Sequence, residues 1–123
     1  MALGMIVSAV LLAQAAPLVA DEGVSSERAN AAYKELAAGQ TDSAIVQLEA
    51  SLEETPGDPA QLINLGTAYA RAGRMDEARD AFREAISAQD RYRVQLPDGS
   101  WEDSRRVARL ALDSLDRTAL AAK

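Results

Sequence analysis

Carboxylates dominate the groups in this chain that could move a proton or hold a charged ligand. Nineteen Asp and Glu stand beside three Tyr and two Lys, with no His and no Cys among 123 residues. Without His the commonest general base at neutral pH is missing, and without Cys there is no thiolate nucleophile, disulfide or zinc thiolate. Catalysis would then need two carboxylates brought to one substrate. The adjacent pairs Glu53–Glu54 and Asp76–Glu77 diverge by about 100° on a helix surface and cannot share one. No Gly-rich phosphate loop, no Ser with a partner base and no metal-ligand spacing occurs in the sequence. The expectation is a protein with no catalytic residue, no metal and no cofactor. A net charge of −6 also argues against nucleic acid as a partner.

The elements that position these charges are helices. Alanine occurs 26 times, whereas Gly is present only 7 times and Pro 4 times. Alanine enters a helix without losing side-chain entropy, and its small side chain lets helices pack closely. The length suits one small domain. Leu62, Leu65, Gly66 and Tyr69 share one helical face, and Ala78, Phe82, Ala85 and Ile86 share another. Gly73 stands between them at the left-handed position that ends a helix, and Asp58-Pro59 supplies a cap and a proline for the first turn. The same unit recurs 34 residues earlier: Gly39 matches Gly73, Asp42 matches Asp76, Ala44 matches Ala78, Leu48 matches Phe82, and Ala32 stands where Gly66 is. The spacing predicts helices near Ser26–Ala38, Asp42–Glu54, Pro59–Ala72 and Asp76–Ala88.

Leu62-x2-Leu65-Gly66-x2-Tyr69 followed by Ala78-x3-Phe82-x2-Ala85 resembles a tetratricopeptide repeat, with Leu62 in place of the usual Trp. The resemblance covers Ser25 to about Asp90, as two repeats near 25–58 and 59–90 within a domain of residues 21–90. The first copy departs at Glu35, where the family usually has an aromatic residue, and at Ser51, where it prefers Ala. Asp90 stands where the second copy's terminal Pro would be. The resemblance implies an all-α fold, a short solenoid of two helical hairpins. It also implies that the first helix of each repeat lines a concave groove for an extended peptide or partner helix. The groove positions carried over are Ala29, Asn30, Tyr33 and Ala37 in the first copy, and Ala60, Ile63, Asn64, Thr67 and Arg71 in the second. Of these, Asn30, Tyr33, Ile63, Asn64, Thr67 and Arg71 are the expected partner contacts. Asn can pair with a peptide backbone as donor and acceptor, and Arg71 could hold a carboxylate. The family's carboxylate clamp needs Lys and a further Asn where this chain has Ala29 and Tyr33, which argues against chaperone tails as ligands.

The flanks read differently. Residues 1–20 carry no charged side chain, and Leu3 to Ala13 is an apolar run with small residues after it, at Ala13-Gln14-Ala15 and Leu18-Val19-Ala20. This pattern fits a signal peptide, with an uncleaved inner-membrane anchor as the alternative, so membrane contact is expected only if the segment is retained. After Asp90, Tyr92 to Leu96 alternates apolar and polar, and Pro97-Asp98-Gly99-Ser100 is turn chemistry. Residues 91–102 are expected as a turn or β-hairpin arm, and 103–123 as a capping helix and tail. Tyr92, Leu96 and Trp101 either belong to that arm or form a recognition patch. About two and a half repeat units are marginal for stability, so the last helix or a second copy, giving a homodimer, must seal the open end. Residues 21–60 carry nine acids and two bases, whereas residues 61–123 carry ten acids and eleven bases. The first repeat therefore holds the net charge, as a solvated face or as an encounter face for a basic partner. The functional expectation is a periplasmic or secreted interaction module of the bacterial cell envelope that binds a protein or peptide in its groove. The alternative is a self-associating structural or assembly protein.

Overall fold

Two turns with the same hydrogen-bond pattern set the frame of the fold. The computed structural model describes residues 35–36, 38–95 and 100–121. At the first turn Gly39 takes φ +79°, its N–H bonds the Leu36 carbonyl at 3.1 Å, and the Gln40 N–H bonds the Glu35 carbonyl at 2.8 Å. At the second, Gly73 takes φ +80°, with Gly73 to Ala70 at 3.1 Å and Arg74 to Tyr69 at 2.8 Å. Both are Schellman closures, in which a left-handed residue lets two N–H groups satisfy the last carbonyls of a helix. The internal repeat in the sequence is thus a repeat in backbone geometry.

Helix α1, Thr41–Glu54, follows the first turn. Helix α2, Pro59–Arg71, begins at Asp58, whose carboxylate accepts the Ala60 N–H at 3.0 Å, with Pro59 in the first turn where no donor is needed. Helix α3, Met75–Ser87, follows the second turn and carries Asp76 and Glu77 in its first turn, where the helix dipole favours negative charge. Strands β1, Arg93–Gln95, and β2, Trp101–Asp103, pair antiparallel with Val94 opposite Glu102. Helix α4, Ser104–Ala121, ends the described chain. Among the described residues the fold is all-α apart from this hairpin. The expected first helix of the first repeat except its end at Glu35, Leu36 and Ala38, the segment 1–20, Leu96 and the Pro97–Gly99 turn lie outside the described residues.

The core joins α1, α2, α3 and α4. Leu62, Leu65, Tyr69, Ala78, Phe82 and Ala85 are all buried, as the repeat pattern requires, together with Ala44 and Leu48 from the matching positions of α1. Gly66 is where α2 and α3 cross: a Cβ there would sit 2.5 Å from the Phe82 ring. Helix α4 lays Val107, Ala108, Ala111 and Leu115 against the repeats, with Leu110 half-buried. Asp103 starts it by accepting the Arg105 N–H at 2.8 Å. The arm is tied down as well. The Ser104 N–H bonds the Tyr92 carbonyl at 2.9 Å, and the Tyr92 hydroxyl donates to Asp58 while accepting the Ala60 N–H at 3.2 Å. Tyr92 is thus a structural pin between the arm and the start of α2.

Candidate functional site

The described residues expected to line a groove are largely enclosed. Ile63 is 1 % exposed, Asn64 1 % and Thr67 2 %, and Ala60 beside them is fully buried. Every residue of α2 from Pro59 to Ala70 is buried. The Thr67 hydroxyl donates to the Ile63 carbonyl at 3.0 Å within its own helix. Arg71 is only partly exposed, and its guanidinium donates to the Leu36 carbonyl at 3.0 Å, fastening the end of α2 to the backbone just before the Gly39 turn. Burial draws its pKa below the ordinary value. Helical spacing identifies which residues share a face, but what covers that face depends on contacts distant in sequence. Asn30 and Tyr33, with Ala29 and Ala37, lie outside the described residues.

An open cleft of 530 Å³ lies instead between α1 and α3. Its floor is α2, through Leu62, Leu65 and Tyr69. One wall carries Glu49, Leu52 and Glu53 of α1; the other carries Glu77, Asp80, Ala81 and Glu84 of α3. The Pro56–Gly57 turn lines it too. The sequence spacing explains the walls. Glu49, Leu52 and Glu53 stand at i, i+3 and i+4, and Glu77, Asp80, Ala81 and Glu84 at i, i+3, i+4 and i+7, so each set shares one helical stripe. The signal was the acidic first repeat; that α3 supplies the facing acids is a product of the hairpin geometry.

Electrostatics at the Tyr69 end are specific. The Tyr69 hydroxyl donates to the Glu49 carboxylate. Burial and this bond raise its pKa well above the usual phenol value, so the hydroxyl stays a donor. The Arg74 guanidinium lies 4.6 Å from the centre of the Tyr69 ring and makes two bonds to Glu77, at 2.7 and 2.6 Å. That pair holds the Glu77 carboxyl below the ordinary carboxylate range. Asp76, its sequence neighbour, pairs with Arg79 at 3.1 Å instead, so the two adjacent carboxylates do diverge. A second cavity, of 490 Å³, lies beside Thr55, Asp58, Asp90 and Tyr92. There the Tyr92 hydroxyl and Asp58 are bonded to each other and serve the fold. Trp101 is half-buried on β2.

Compared with known families, residues 35–95 match the model of the tetratricopeptide repeat. No curated protein and no solved structure matches the chain.

Proposed function

Because over residues 35–95 the chain is a tetratricopeptide repeat protein, we propose that it is a non-catalytic adaptor of the bacterial cell envelope that holds a segment of a partner protein. Tetratricopeptide repeats generally mediate protein–protein interactions. The observation that carries this reading for the present chain is the cleft between α1 and α3, open to solvent, walled by two helices and floored by a third. A partner segment laid there meets the apolar side chains of Leu52 and Pro56 and hydrogen-bond acceptors on both sides, the combination that gives a peptide site affinity and orientation. The envelope location is supported by the uncharged, apolar start of the sequence and the small residues that follow it.

Two experiments test the reading. The full chain is used to capture partners from envelope extract, beside a Leu52→Trp variant that fills the cleft from a half-buried wall position without changing charge. A protein retained by the parent and lost with Leu52→Trp, both remaining helical by circular dichroism, is the expected result. Retention of nothing but further copies of the chain would end the adaptor reading and favour self-assembly. Mass spectrometry of the N-terminus of the cellular protein tests the location. A terminus after Ala15 or Ala20 is expected, and a retained Met1 points to the membrane-anchored alternative.

A further inference from the structure

Three carboxylates on the rim of the cleft, Glu53, Asp80 and Glu84, are exposed and form no ion pair among the described residues. Glu77 and Glu84 stand seven residues apart on α3, so the acidic rim runs for about 10 Å along the helix. No three acidic side chains among the described residues come together closely enough to hold a metal ion. Charges spread along two facing helix walls suit a chain that carries several cations at intervals, each meeting a different carboxylate.

The protein already seats one guanidinium against this rim. The Arg74 guanidinium lies over the Tyr69 ring while the Glu77 carboxylate accepts two of its N–H groups, a cation–π contact joined to a forked ion pair. Glu77 lines the cleft, so a cation arriving from outside competes with Arg74 for its carboxylate.

We propose that the cleft binds a basic segment of a partner protein, its Arg or Lys side chains on the α1 and α3 carboxylates and an aliphatic side chain against Leu52 and Pro56. This rests on the adaptor reading and names the partner's chemistry. A second copy of the chain is the poorer occupant, because much of its own C-terminal positive charge is engaged. Arg91 pairs with Asp103, Arg106 pairs with Glu102 at 3.2 Å, and Arg105 donates to the Ala88 carbonyl at 2.9 Å.

The test uses the full chain and two labelled peptides, one alternating arginine with leucine and one alternating glutamate with leucine, read by fluorescence anisotropy. Two variants accompany the parent: the triple reversal Glu53→Lys, Asp80→Lys, Glu84→Lys, and Arg74→Gln, which clears the internal guanidinium from the ring and from Glu77. The arginine peptide is expected to bind and the glutamate peptide not. The triple reversal should weaken binding about tenfold or more, and raising ionic strength should weaken it in the parent. Arg74→Gln should tighten it. Equal binding by the parent and the triple reversal, or no binding by the parent, overturns the proposal. Self-association of the parent that the triple reversal abolishes, seen by light scattering, would assign the cleft to a second copy and also overturn it. Failure here is separable from failure of the adaptor reading. If Leu52→Trp stops partner capture from extract and the triple reversal does not, the adaptor stands and its basic partner falls. If the parent captures no partner, the adaptor itself falls.

Discussion

Tyr92 shows how one side chain joins parts of the chain that the sequence keeps apart. Its hydroxyl donates to Asp58, 34 residues earlier, and accepts the N–H of Ala60. Burial first, and then the charge of Asp58, raise its pKa well above the usual phenol value; burial and Glu49 do the same for Tyr69. The sign follows from proton counting. Above about pH 10 an unfolded tyrosine loses its proton while these two keep theirs, so the folded state binds more protons and stability falls as pH rises. The thermal midpoint is therefore expected to drop above about pH 10, and Tyr92→Phe should reduce that drop while lowering neutral-pH stability by about 1 kcal/mol. Melting followed by circular dichroism across that range checks both. A drop in Tyr92→Phe as large as that of the parent would refute the assignment. From the sequence, Tyr92 could be placed on an arm but not paired with Asp58, because no local rule links a strand residue to a distant helix cap.

At the scale of elements, the crossing of α2 and α3 was legible in the sequence. Gly66 and Phe82 belong to a recurring pattern, and the structure brings them into direct contact. A Gly66→Ala change gains about 1 kcal/mol of helix propensity. It also drives a methyl group to 2.5 Å from a ring that is fully buried. Overpacking of this kind costs about 1–3 kcal/mol, and a ring enclosed on every side has nowhere to move, so a net loss of about 1–2 kcal/mol is expected. Urea unfolding measures it. Phe82→Leu in the Gly66→Ala background should cost less than the two single losses added, since the smaller side chain relieves the clash. Strict additivity would mean that the two positions do not meet as described. The turns were legible for a similar reason: only Gly takes φ near +80° without strain, so Gly39 and Gly73 mark helix ends wherever they recur.

Over the described residues, α4 packs its buried stripe against α3 and part of α2. Leu115 is fully buried in that contact. Leu115→Ala is expected to cost about 2–4 kcal/mol, and the loss should appear in one transition shared by far-ultraviolet circular dichroism and Trp101 fluorescence. Two separate transitions would show that α4 is not part of the same cooperative core. Charge also acts at this scale. Acidic residues of two different helices converge on one cleft, and the separation of their positions in the chain hid the site from motif reading.

The sequence by itself determined the repeat, its helix ends, its close crossing and the exclusion of His- and Cys-based chemistry. These depend on residue type and on spacings shorter than one hairpin, where helical geometry leaves few arrangements. Only the tertiary structure decided which faces stay open. Ile63, Asn64 and Thr67 share the stripe that the repeat pattern assigns to a groove, yet they are buried, while Glu53, Asp80 and Glu84 are exposed and line an open cleft. Exposure belongs to the packed assembly of helices and not to any one of them, and so it could not be read from a single helix's pattern.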